Sequence, residues 1–185
     1  MIPYDSTISA AGMGKSGKSY LIKNHFIKNM KLPKGAIIAV FDPNGEYKKT
    51  REDMEITVPS KVNPAIFNMW VKENLRRGKV FMVCDEAALY LPKTLNIQKF
   101  AYITDFITRA RFFKCGGILA SRRFALLPTT FVALSDFVYL FRMFCPADLR
   151  AAREYLHGWR DLPTLKRGWF YQFSDKGEKL CPPIR

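Results

Sequence analysis

Gly12-Met13-Gly14-Lys15-Ser16-Gly17-Lys18-Ser19 fits the pattern G-x-x-x-x-G-K-[ST], with Gly12, Gly17, Lys18 and Ser19 in its fixed places. A loop of this kind presents bare backbone amides to the phosphates of a nucleotide. It also sets a lysine at the β- and γ-phosphates and offers a hydroxyl to magnesium. The flanks carry the reading further. Ser6 to Ala11 is short, small and partly β-branched, as a buried strand is, and Ile22, Phe26 and Met30 then recur at helical spacing. Strand, glycine turn and helix start follow in the order that phosphate capture needs. The nucleotide-binding set predicted here is Gly12, Met13, Gly14, Lys15, Ser16, Gly17, Lys18, Ser19 and Tyr20.

Downstream, Ala36 to Phe41 is a continuous apolar run suited to a strand buried on both faces, and it ends at Asp42-Pro43-Asn44-Gly45-Glu46-Tyr47. Asp42 and Glu46 therefore stand at a strand's C-terminal edge, where open α/β sheets bind ligands, and they serve either a ligand or the turn itself. Lys79 to Cys84 is a second such strand and delivers Asp85-Glu86. Four apolar residues followed by two acids form the other half of a nucleotide-hydrolysing site: Asp85 holds the magnesium shell with Ser19, and Glu86 orients and deprotonates water.

Helices are expected over 64–77, ended by Gly78, over 97–113, and from Pro146 up to Gly158. A short strand is expected near Glu55 to Val58, and further strands over Gly116 to Ala120 and Asp136 to Phe141. Gly168 to Phe173 and Glu178 to Cys181 read as a β-hairpin. Arg109 and Arg111 close the 97–113 helix, Arg122 follows the 116–120 strand and Arg142 follows the 136–141 strand. The reading places these arginines towards one end of the sheet, where each serves a γ-phosphate, a DNA phosphate or a surface acid.

At 185 residues, with 48% hydrophobic and 14% aromatic residues, the chain is one folded domain and not a disordered one. The core spans about 6–156 and an extension about 157–185. Thirty Lys and Arg against 16 Asp and Glu give a net charge of +14, which attracts a nucleic acid or an anionic membrane unless it serves solubility alone. No stretch approaches the ~18 apolar residues of a spanning helix, so a soluble chain made in the cytoplasm is expected. Cys84, Cys115, Cys145 and Cys181 lie far apart, with only His25 and His157 to help, so reduced thiols are expected and not zinc.

Taken together, the phosphate loop, the Asp42 to Tyr47 stretch, Asp85-Glu86 and the basic helix leading to Ser121-Arg122-Arg123-Phe124 resemble the FtsK/HerA superfamily of P-loop ATPases. Within it the chain is most similar to the genome-packaging ATPases of icosahedral viruses with an internal membrane. The resemblance implies a RecA-like P-loop NTPase fold, α/β, with a central mostly parallel sheet flanked by helices, and here a C-terminal hairpin. It implies ATP and Mg2+ as cofactors, and a homo-oligomeric ring, commonly a hexamer, in which a neighbour's arginine completes the site. It implies sequence-independent grip on DNA through phosphates, and a capsid vertex or virion membrane protein as partner. The implied locations are the host cytoplasm during assembly and the packaging vertex of the virion. Lys18, Ser19, Asp85 and Glu86 carry the family's roles by position, and Arg109, Arg111 and Arg142 are candidate arginine fingers. Two positions depart from the pattern: Arg122 stands where the family has a polar sensor, usually glutamine, and Lys15 where glycine is common. Filamentous-phage assembly ATPases of the zonula occludens toxin type, plasmid-transfer ATPases, nucleotide kinases and a non-catalytic nucleotide-bound virion protein are the alternatives.

Overall fold

The apolar runs of the sequence become neighbours in one sheet. The structure, a computed structural model, describes residues 2–184. Its strands are β1 (Thr7–Ala11), β2 (Ile37–Phe41), β3 (Met54–Thr57), β4 (Val80–Cys84), β5 (Gly116–Ser121), β6 (Phe137–Phe141), β7 (Phe170–Ser174) and β8 (Gly177–Cys181). They lie in the order β3-β2-β4-β5-β1-β6-β7-β8. The first six pair in parallel, and β7 and β8 are antiparallel additions. The sheet is an α/β one, as expected, and the hairpin joins it directly through β7 on β6.

Strand residues alternate between two cores because successive side chains point to opposite faces. Ile8, Val40, Val83 and Ile118 pack under Ile22 and Phe26 on one face, while Phe41, Met82 and Leu119 face Phe67, Phe106 and Phe131 on the other. The first face is covered by helix α1, which starts at Lys18–Leu21 and continues in wider π-type turns over Ile22–Ile27. The second is covered by α2 (Pro64–Arg77), α3 (Ala101–Arg109), α4 (Thr129–Ala133) and α5 (Pro146–Ala152). The bounds of α2 follow from local chemistry: the Asn63 side chain accepts from the Ile66 amide at 2.9 Å, proline opens the first turn, and Gly78 at φ 63 ends it.

Two expectations are corrected and one element is added. The helix expected over 97–113 breaks into a short 3-10 turn at Ile97–Lys99, α3, and a second turn at Ala110–Phe113. The break has a long-range cause, for Asn68 of α2 accepts from the Tyr102 and Ile103 amides and caps α3 at its start. Helix α5 stops at Ala152 instead of continuing towards Gly158, because the His157 and Gly158 amides turn to the Glu178 carboxylate on β8. The five-residue α4 has no counterpart in the sequence reading.

A parallel sheet sends every strand's C-terminal end to the same edge. Onto that edge β1 delivers the phosphate loop, β2 Asp42, β4 Asp85-Glu86, β5 Arg122 and β6 Arg142. Strand β5 lies between β1 and β4 and so opens a gap between the phosphate loop and the acidic pair.

Candidate nucleotide site

The phosphate loop is fixed by backbone from three distant places. The Gly12 amide donates to the Ser121 carbonyl at 3.2 Å, the Met13 amide to the Arg142 carbonyl at 3.0 Å, and the Gly168 amide to the Ser16 carbonyl at 2.9 Å. Gly12 is glycine because a Cβ there would stand 2.5 Å from Cβ of Phe141. Gly17 takes φ 109 and lies so close to Gly168 that a Cβ would meet its Cα at 2.8 Å. A Cβ at Gly14, by contrast, would meet nothing within 4 Å, so this backbone faces open space.

That space is a basin of about 380 Å³ lined by loop residues 13–20 together with Glu46, Glu86, Arg122 and Arg167. Buried in it, Lys18 sets its ammonium 3.7 Å from the Asp85 carboxylate, with side chains 6% and 5% exposed. Asp85 is held from its own side, its Oδ1 accepting from the Glu86 amide at 2.9 Å and its carbonyl from the Tyr90 hydroxyl at 2.8 Å. Glu86 takes a left-handed backbone at φ 49, and its carboxylate accepts from Arg122 Nε at 2.7 Å. That bond raises the Arg122 guanidinium's affinity for its proton still further. Lys15, also left-handed at φ 61, is exposed and lines the basin.

Two buried hydroxyls, Ser16 Oγ in the loop and Tyr47 Oη in a neighbouring cavity that shares Glu46 with the basin, have no hydrogen-bond partner among the described residues. Burial first, and then the Asp85 carboxylate, hold the Tyr47 phenol well above the usual tyrosine range. An unmatched buried polar group is costly, and Ser16 Oγ, which lines the basin, is one that a polar ligand there would answer.

Several residues singled out in the sequence lie elsewhere. Asp42 does not line the basin; it is buried and its carboxylate accepts from the Asn44 and Tyr47 amides, building the turn that brings Glu46 in. Arg109 and Arg111 lie at the opposite edge of the sheet, because α3 runs antiparallel to the strands and ends where β5 begins. Arg109 pairs with Asp105 at 2.5 Å, and Arg111 with Asp136, which also accepts from the Thr7 amide at the start of β1. The expectation that all these arginines gather at one end of the sheet is therefore corrected. Arg142 stays beside the loop, but its side chain does not line the basin. Conversely, Arg167 lines it without having been foreseen, since only the pairing of β7 with β6 returns the chain to the loop.

No family model and no curated protein matches the sequence. Solved structures do. The DNA-packaging ATPase from Sulfolobus turreted icosahedral virus aligns over 100% of both chains with a TM-score of 0.85 at 20% identity. The genome packaging NTPase from Sulfolobus turreted icosahedral virus 2, in complex with AMPPCP, does so at 0.82 and 23%. The N-terminal domain of zonular occludens toxin from Neisseria meningitidis aligns over 98% of this chain and 96% of its own with a TM-score of 0.52 at 13% identity. The fold is thus that of these P-loop packaging enzymes.

Proposed function

We propose that the chain is an ATP-hydrolysing motor that moves DNA into a preformed viral capsid. One observation carries the hydrolytic half: Lys18 and Asp85, far apart in sequence, meet 3.7 Å apart, buried at the wall of a basin that Lys18 lines together with Glu86. The packaging half is supported by end-to-end likeness in fold to viral packaging enzymes, well above that to the zonular occludens toxin domain.

In this reading the loop amides and Lys18 bind and orient the triphosphate. Ser19 and Asp85 would hold Mg2+, which would supply charge neutralisation to the triphosphate. Glu86 orients a water at the γ-phosphate and takes its proton, and Arg122 senses the γ-phosphate. Arg109, Arg111 and Arg142 do not reach the basin of their own chain, so a finger role for any of them belongs to a neighbouring copy in a hexameric ring. The net charge of +14 suits phosphate grip on DNA. The motor would work in the host cytoplasm and at the packaging vertex, docked on a capsid or virion membrane protein. No helix among the described residues is long and apolar enough to cross a membrane.

The test is an ATPase assay with and without DNA, beside a mass measurement of the assembly with AMPPCP. Turnover should rise with DNA, Glu86→Gln should abolish phosphate release, and the analogue should favour a ring. A phosphorylated nucleoside in place of free phosphate points to a kinase, and turnover indifferent to DNA removes the motor.

A further inference from the structure

Beyond β6 the chain runs through a 3-10 segment (His157–Thr164) and returns at 165–168 to press on the phosphate loop. The contact is backbone on backbone: the Gly168 amide donates to the Ser16 carbonyl, and Gly17 and Gly168 approach too closely for either a side chain or a water between them. This contact aims the preceding residue, Arg167, into the basin. Arg167 is exposed, and among the described residues no carboxylate lies within ion-pair distance of it. Of the other cations on the basin wall, Lys18 is held by Asp85 and Arg122 by Glu86, while Lys15 of the loop has, like Arg167, no ion pair among the described residues and does not reach the adjoining cleft.

Arg167 also lines an adjoining cleft of about 280 Å³, walled by Tyr20, Phe141, Pro183 and Ile184. Those walls are largely apolar and suit the faces of a flat heteroaromatic ring. Glu86 and Arg122 touch the basin but not the cleft, so they mark the γ-phosphate end. Arg167, shared by both with Gly17 and Tyr20, stands at the other end. We infer that Arg167 is a nucleotide-binding residue acting within its own chain, its guanidinium on the α- and β-phosphates and the base lodged in the cleft beside it. This rests on the nucleotide reading of the basin. The extension thereby supplies a cation that the core lacks at that end, through charge-assisted hydrogen bonds of the kind arginine makes to phosphate.

Calorimetric titration with MgAMPPCP and MgADP tests it on the wild-type chain, Arg167→Ala, Arg167→Lys and Lys18→Ala. Removing Arg167 should weaken both nucleotides by similar factors, about 10-fold or more, since charged hydrogen bonds are lost from a group common to both. Lysine should recover part of the loss, and the unfolding midpoint without nucleotide should not move. Affinities equal to wild type overturn the proposal, as does a loss confined to AMPPCP, or a lowered midpoint that lysine fails to restore. If wild-type protein binds neither nucleotide, or Lys18→Ala binds as wild type does, the nucleotide reading of the basin fails and takes this inference with it.

Discussion

Arg122 presents one nitrogen to Glu86 and keeps more than half of its side chain exposed. On the proposed reading, a guanidinium so placed would be held by the carboxylate that activates water until a γ-phosphate draws it off. Loss of that phosphate contact should cost roughly 10- to 100-fold in affinity, the worth of a charged hydrogen bond. Arg122→Ala is accordingly expected to weaken MgAMPPCP by that factor and leave MgADP unchanged in a calorimetric titration. An equal loss for ADP would deny Arg122 a γ-phosphate role. The contrast with Arg167, whose removal should affect both nucleotides, separates the two ends of the basin. At this scale the sequence revealed the loop, the acidic pair and the unusual arginine, because each is a local pattern. It did not reveal that Arg122 and Glu86 meet, since the meeting depends on β5 lying beside β4. Nor did it show Asp42 turning inward, which is decided by two amides of its own loop.

Elements are joined by a few well-placed groups, and Arg51 is the clearest. Its guanidinium donates to the Ile27 and Met30 carbonyls at the end of α1, and to both oxygens of Asp53 at 2.7 Å just before β3. Helix end, loop and sheet edge are thereby tied by one side chain. Arg51→Met should lower unfolding stability by about 1–2 kcal/mol, allowing for the partial exposure of the pair, as measured by denaturant titration. Hydrogen bonding from Arg51 holds the Asp53 carboxyl below its ordinary value. A depressed carboxyl contributes stability at neutral pH and loses it as pH falls below about 3.9 through the folded-state value. The wild type should therefore lose the Asp53 part of its advantage over Arg51→Met in that acidic range, keeping only what the two carbonyls contribute, and an advantage that did not shrink there would refute the ion-pair half of the clamp. Elements whose signals were local, such as α2 with its Asn63 cap, proline and Gly78, were legible to the residue. The breaks at Phe100 and Ala152 were not, because Asn68 and Glu178 impose them from other elements.

For the whole molecule, the excess of cations makes salt the natural probe. Duplex DNA binding should fall linearly on a logarithmic salt scale, by roughly 10³ to 10⁵ between 50 and 200 mM if 6–10 phosphates are engaged. Fluorescence anisotropy of a labelled duplex measures the slope, and a flat line would mean that the charge serves solubility alone. The overall α/β plan could be read from five apolar runs with chemistry at their C-terminal ends. The adoption of the hairpin by the main sheet could not, since a hairpin pattern specifies its own pairing and not its host. The three backbone tethers of the phosphate loop set a timetable for synthesis on the ribosome. The loop itself is made first, its first two anchors follow with Ser121 and Arg142, and the last arrives only with Gly168. A chain stopped before Gly168 therefore carries the motif but not the finished cradle, and on the proposed reading full nucleotide binding should come only once Gly168 has emerged and docked.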